Sequence, residues 1–214
     1  MTVTATNAPD AQRVEEFAGR VITDVSAGVI STLSSIGAGV GLWKALAAGR
    51  ATSAERAEQT GTVERYVREW CAAMASAGYL TYDPADQRFE LPLEHAAVLV
   101  DDSTPAYLGG AAELARGMSE AADGVQAAFG NGGGVPIDQY SDHFWSGLEQ
   151  NTGTSFDHGL VQEWVPGVDG LERRLKDGAL VADVGCGTGR ALIRLAKAFP
   201  NSRFHGYDVA SGAV

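Results

Sequence analysis

Cysteine is scarce: Cys71 and Cys186 are the only two in 214 residues, and neither their number nor their spacing offers a disulfide framework or a zinc site. That usage suits a reducing cytoplasm. Clustered positive charge is missing as well. The chain holds 16 Lys and Arg against 27 Asp and Glu, a formal net charge of −11. The imbalance is local, because residues 1–150 carry 9 basic against 20 acidic side chains whereas residues 151–214 carry 7 of each. A protein that neutralises phosphates needs grouped Lys and Arg, so nucleic acid is not the expected partner and a small or neutral molecule is favoured. Long uninterrupted apolar runs are also absent. Val25 to Trp43 is free of charge, but five hydroxyl residues and four glycines lie within it, and acids rather than the basic flank of a signal peptide precede it. A buried helix or a subunit interface is expected there, and no membrane span.

What is present reads first as helices. From Asp10 onward Val14, Phe17, Val21, Ile22, Val25 and Val29 recur at helical spacing, and Ile30, Leu33, Ile36, Val40 and Trp43 continue through a Gly/Ser-rich second segment. Two long helices with wide apolar faces are expected, paired with a second subunit or packed within the chain. Thr52-Ser53-Ala54-Glu55 is a capping box that opens a short helix ending near Gly61. Thr62 opens a longer one carrying Val63, Tyr66, Val67, Trp70, Met74 and Ala77 on one side, closed by Gly78. Tyr79 to Tyr82 and Arg88 to Leu91 alternate around the turn Asp83-Pro84-Ala85-Asp86. Three helices and a hairpin are the order of a winged helix. Its third helix would read DNA, yet Glu64, Arg65, Arg68 and Glu69 cancel and the wing turn is acidic, so a structural or dimerising role is favoured.

An alanine-rich helical stretch from Pro105 to Phe129 ends in the breaker Gly130 to Pro136, which reads as a hinge. The aromatic group Tyr140, His143, Phe144 and Trp145 behind it is placed to close over a ligand or to pack in a core. Short helical patterns follow through Trp164 to Leu175.

The chemistry lies near the end. Ala179 to Val184 is a short apolar run leading into Gly185-Cys186-Gly187-Thr188-Gly189 and a helical pattern from Arg190 to Phe199; Arg203 to Asp208 follows as a second strand. The unit is strand, glycine loop, helix, strand, which builds a parallel sheet. Glycines there let backbone amides approach a ligand, and the helix start behind them favours negative charge. Arg190 stands where the dinucleotide pattern would place its third glycine. Asp183, two residues before the first glycine, would repel a pyrophosphate but suits the ammonium and sulfonium charges of S-adenosyl-L-methionine. Asp208 ends the second strand, where an acid accepts from ribose hydroxyls, and Val209 follows to lie against adenine. Asp183, Gly185, Cys186, Gly187, Gly189, Asp208 and Val209 are therefore the candidate cofactor-binding residues. No metal ligands and no catalytic residue are assigned; His143 and His158 lie upstream and could face the pocket.

Together with Glu64 to Trp70, Ala77-Gly78-Tyr79, Leu91 to Ala96 and Gly132 to Pro136, the stretch Val181 to Gly189 resembles bacterial class I S-adenosylmethionine-dependent methyltransferases with an N-terminal winged-helix domain. The resemblance implies a mainly α fold with a small β wing, followed by the start of an α/β Rossmann-like methyltransferase domain. It implies that Asp183 and the loop glycines hold the methionine part and Asp208 the ribose, and that a homodimer forms through the N-terminal domain. The expected division is a helical and winged-helix dimerisation domain over 1–103, a helical connector and candidate lid over 104–150, and the first part of the cofactor domain over 151–214. That family's sheet continues with further strands, whereas this sequence stops at Val214, so a truncation after the second strand is expected, with little or no activity in this chain alone. The expected reaction of the whole enzyme is methyl transfer to a small-molecule acceptor. The rival is a non-enzymatic dimeric winged-helix module, regulatory or scaffolding, with a vestigial or truncated cofactor domain; an NAD-dependent oxidoreductase is third, disfavoured by Arg190 and Asp183.

Overall fold

A computed structural model describes residues 9–209. Helix α1 (Ala11–Gly39) is capped by Asp10, whose side chain accepts from the amides of Gln12 and Arg13. It is one helix where two were expected. Interior glycines weaken a helix by about 1 kcal/mol each relative to alanine without breaking it, and Thr32 returns its hydroxyl to the Gly28 carbonyl, so the Gly/Ser-rich segment continues the same helix. The helix is long and apolar enough to cross a membrane by length and composition alone. Its C-terminal end, however, is built into the core: Ser34, Ser35 and Gly37 are buried. A Cβ at Gly37 would overlap the Trp70 indole, and it is this close approach that lets Trp70 Nε1 donate to the Leu33 carbonyl at 2.7 Å. Toward its N-terminus Val14, Phe17, Val21, Ile22, Val25 and Val29 are all exposed.

Helices α2 (Leu42–Ala47), α3 (Ser53–Thr60) and α4 (Glu64–Ser76) and the hairpin β1 (Thr81–Asp83) and β2 (Arg88–Glu90) form the winged helix. Its core gathers Leu46, Val67, Trp70, Met74, Leu80 and Phe89, with Trp43 and Trp70 edge to face at 4.7 Å between ring centroids. The capping box is formed as read: the Glu55 amide donates to Thr52 Oγ1 and the Thr52 amide to Glu55 Oε2. Gly78 adopts φ +79° after α4, with Tyr79 N–H donating to the Met74 carbonyl and Gly78 N–H to that of Ala75, a Schellman closure. Two details differ. Helix α4 starts at Glu64 with Val63 as its cap, and its buried stripe runs through Val67, Trp70, Cys71 and Met74; Val63 and Tyr66 lie off that stripe, and Tyr66 is 74% exposed. The wing is also tied back to the helices, because Ala51 and Phe89 exchange backbone hydrogen bonds. Arg88 of the wing pairs with Glu55 at 2.8 Å, and Arg50, ahead of α3, pairs with Asp83 of the wing at 3.0 Å. Thr52→Ala removes one arm of the capping box and is expected to lower stability by about 1 kcal/mol; a urea midpoint equal to wild type would contradict that.

Helix α5 (Leu93–Leu99) follows the wing. The stretch expected to be helical from Pro105 begins only at α6 (Ala111–Glu120) and continues as α7 (Ala122–Asn131). The break thus starts at Gly132, where three consecutive glycines take positive φ. Helix α8 (Asp142–Ser155) then passes without interruption into π-helical turns over Phe156–Trp164. One long helix over 142–164 stands where short ones were expected. Helices α6 and α8 touch backbone to backbone: a Cβ at Gly117 would collide with the Phe144 main chain, and one at Gly147 with that of Leu114.

Helix α9 (Leu171–Asp177) leads into β3 (Leu180–Val184), α10 (Arg190–Ala198) and β4 (Arg203–Tyr207). The two strands pair in parallel, from Leu180 against Arg203 to Val184 against Tyr207. Val165, Leu175 and Phe199 are the buried centre of this second core.

Candidate functional site

The loop between β3 and α10 has the form its glycines permit. Gly185, Gly187 and Gly189 take φ of +87°, +52° and +74°, a region that other residues enter only with strain. The amides of Gly185 and Cys186 both donate to the Tyr207 carbonyl, at 2.7 and 3.2 Å, which ties the loop to the end of β4. The Gly187 amide donates to Asp208 Oδ2 at 2.8 Å. Gly206 belongs to the same support: a Cβ there would lie 2.7 Å from Cys186 Sγ.

Facing the loop across an open cleft of about 580 Å³ is α8, which contributes Trp145, Leu148, Glu149 and Thr152, with Phe156 beyond its end. Asp183, Gly185, Cys186, Gly187, Thr188 and Arg190 form the opposite wall. The volume lies within the usual range of small-molecule and cofactor sites, about 300–1,000 Å³. Of the residues singled out from sequence, Asp183, Gly185, Cys186 and Gly187 come together on this cleft. Gly189 sits behind it as the N-cap of α10. Asp208 lies beneath the loop on the Gly187 amide, and Val209 is 94% exposed. His143 does not line the cleft; its Nδ1 is 3.1 Å from Glu120 on α6. His158 does not line it either, and its Nε2 is buried without a hydrogen-bond partner.

A cofactor with a positively charged, amine-bearing end fits this donor set. Nothing lies within 4 Å of the positions a Cβ would occupy on Gly185, Gly187 and Gly189, so the loop backbone is open to approach, and the Asp183 carboxylate stands at the mouth of β3. Among the described residues no cluster of three or more His, Cys, Asp or Glu could hold a metal ion.

An ion-pair network that sequence reading did not find joins the two walls. Arg190 Nη1 donates to Glu149 Oε1 at 2.7 Å and Nη2 to Asp157 Oδ2 at 2.6 Å. Arg194 Nε donates to Asp157 Oδ1 at 2.6 Å. The Arg190 hydrogen bond, aided by Arg194 and opposed by partial burial, holds the Asp157 carboxyl at about 2; the same contact raises Arg190 above its ordinary value. Because the folded value is depressed, the stabilisation is complete above the ordinary value of 3.8 and is lost as pH falls toward about 2. Asp157→Asn is therefore expected to flatten the acid side of the stability profile between pH of about 4 and about 2, read by urea titration at each pH.

A larger groove of about 800 Å³ runs beside α1, lined by Ile22, Ile30, Tyr79, His95, Leu99 and Leu108 among others. Its walls come from α1, the turn after α4, α5 and the start of α6, away from the glycine loop.

Residues 28–101 match the family model described as the Rv2258c-like winged HTH domain. No curated protein matches the chain. Among solved structures, the mitomycin 7-O-methyltransferase MmcR is similar with a TM-score of 0.63 at 18% identity, over 92% of this chain and 59% of its own. PigF, solved with SAH, gives 0.60 at 18% over 96% and 60%. Human N-acetylserotonin methyltransferase, solved with SAM, gives 0.60 at 13% over 98% and 62%. At these identities the likeness is one of fold: a winged helix followed by the start of a Rossmann-like domain. The chain spans about 60% of the length of these structures.

Proposed function

We propose that this chain, which carries the fold of the N-terminal part of the class I methyltransferases, binds S-adenosyl-L-methionine in the cleft over Gly185 to Gly189 and serves methyl transfer to a small-molecule acceptor. The observation that carries the reading is the pairing of an acid, Asp183, with an open glycine loop on one wall of a cleft of about 580 Å³. A pyrophosphate would be repelled by Asp183, and a third glycine for it is replaced by Arg190, whose guanidinium is turned to Glu149 and Asp157.

In this reading Asp183 holds the ammonium and faces the sulfonium, while Gly185, Cys186 and Gly187 present the loop backbone to the methionine part. Gly189 sets the start of α10. Asp208 takes the ribose hydroxyls. Val209 lies against adenine. The bound cofactor supplies an electrophilic methyl group on a good leaving group, so the protein's contribution is mainly alignment and exclusion of water. Trp145, Leu148 and Phe156 give the facing wall its apolar character. Residues 1–103 serve as the helical and winged-helix dimerisation domain, 104–150 as a helical connector and lid, and 151–214 as the first part of the cofactor domain, with the exposed apolar face of α1 and the groove beside it covered by a second copy of the chain. The two free thiols, Cys71 and Cys186, support a cytoplasmic setting.

Calorimetric titration of the chain with S-adenosylhomocysteine, S-adenosylmethionine and NAD⁺ tests the reading. Micromolar binding of the S-adenosyl compounds without NAD⁺ binding is expected; binding of NAD⁺ alone would overturn it.

A further inference from the structure

The geometry points to a latch on the cofactor cleft: Asp157 is a positioning residue that, through the Arg190 guanidinium, holds the aromatic wall of α8 at the spacing from the glycine loop at which S-adenosyl compounds are captured. The inference rests on the cofactor reading above and adds to it a residue outside the cleft.

Arg190 is the first residue of α10, directly after the loop, and it lines the cleft. Its guanidinium is bracketed by two carboxylates from the opposing helix. Glu149 lines the cleft with it, whereas Asp157 does not. Asp157 takes both Nη2 at 2.6 Å and Nε at 3.3 Å, a two-toothed contact that fixes orientation as well as distance. It also takes Arg194 at 2.6 Å, one turn further along α10, so a single carboxylate grips two turns of that helix. The facing helix is shaped for the guanidinium: a Cβ at Gly153 would overlap it. Asp157 follows Phe156 where α8 passes into π-helical turns. Of these neighbours Phe156 faces the cleft and Asp157 faces α10, so the grip on one sets the position of the other.

The test is a set of titrations with S-adenosylhomocysteine on the 214-residue chain, accompanied by hydrogen exchange over residues 142–164. Asp157→Asn is expected to weaken binding about tenfold, the effect of losing one charge-assisted contact, and to speed exchange over 142–164 while α2 to α4 stay as protected as before. Asp157→Glu is expected to recover part of the affinity. Arg190→Gln is expected to weaken binding as well, and Asp157→Asn added to it to weaken it by clearly less than it does alone, because Asp157 acts mainly through Arg190 and only its Arg194 contact remains to be lost. Binding by Asp157→Asn within threefold of wild type overturns the latch, as does full additivity in the double variant. A wild-type chain that binds no S-adenosylhomocysteine overturns the cofactor reading and the latch together, so the two failures are told apart by the wild-type titration.

Discussion

Gly147→Val is expected to lower the melting temperature by about 6–12 °C. Helices α6 and α8 meet with their main chains in contact, and a Cβ at Gly147 would fall on the backbone of Leu114 and Glu113 rather than on a side chain that could swing aside. The two helices must then separate. Overpacking in a core costs about 1–3 kcal/mol, occasionally more, and a backbone obstacle belongs at the upper end; at about 2–4 °C per kcal/mol for a chain of this size, the shift follows. Gly117→Ala is expected to act in the same direction through the Phe144 main chain, and the pair to be less than additive because both wedge one interface. Gly19→Ala is the contrast. It lies inside α1 with nothing within 4 Å of a new Cβ, so it is expected to be neutral or to stabilise by about 0.5–1 kcal/mol. Thermal melts followed by circular dichroism decide the matter: a Gly147→Val protein melting within about 2 °C of wild type would mean that α6 and α8 do not pack this closely.

Asp183→Ala is expected to weaken binding of S-adenosylmethionine by about 10- to 150-fold, the range set by roughly 1.5–3 kcal/mol for a hydrogen bond to a charged group. The side chain lies one residue before the end of β3, on the cleft, and is only partly exposed, so its attraction for a cation is less screened than on an open surface. Asp183→Asn keeps the shape and removes the charge; it is expected to lose nearly as much, and to lose more for the cationic sulfonium compound than for S-adenosylhomocysteine. The fold should not respond, because Asp183 contributes to neither hydrophobic core. Affinity within threefold of wild type for Asp183→Asn would remove the acid from the site.

The features legible in the sequence are those whose partners are close along the chain. Thr52 and Glu55 are three residues apart, and their reciprocal capping formed as read. Gly78 closes α4 through carbonyls four residues or less before it, and the β3, loop, α10, β4 order follows from one apolar run, three glycines and one turn. What was not legible depends on distant partners or on the absence of a break. The Gly/Ser-rich segment from Ile30 suggested a second helix, yet nothing competes with continued hydrogen bonding there and α1 runs through. Tyr66 missed the buried stripe because the stripe also takes in Cys71 and is centred between Val67 and Trp70, which leaves Tyr66 on its outer side. Gly117 and Gly147 carry no local signal of their contact with helices some thirty residues away in the chain. Arg190 was noticed only as a missing glycine; Glu149 and Asp157, its partners, lie 41 and 33 residues before it. The bond from the Gly187 amide to Asp208 links residues 21 apart and needs the pairing of β3 with β4 to appear.

The two thiols sit in opposite settings, and this gives the protein a ready-made handle. Cys71 is fully buried in the winged-helix core, and desolvation pushes it up to about 12. The thiolate is the form that reacts, so near neutral pH the core thiol is silent both by access and by ionisation. Cys186 stands in the glycine loop on the wall of the cleft. A thiol-directed fluorophore or spin label would therefore attach to the unaltered sequence at one place, in the wall of the cleft across from α8, and would report on its occupancy without any engineered cysteine.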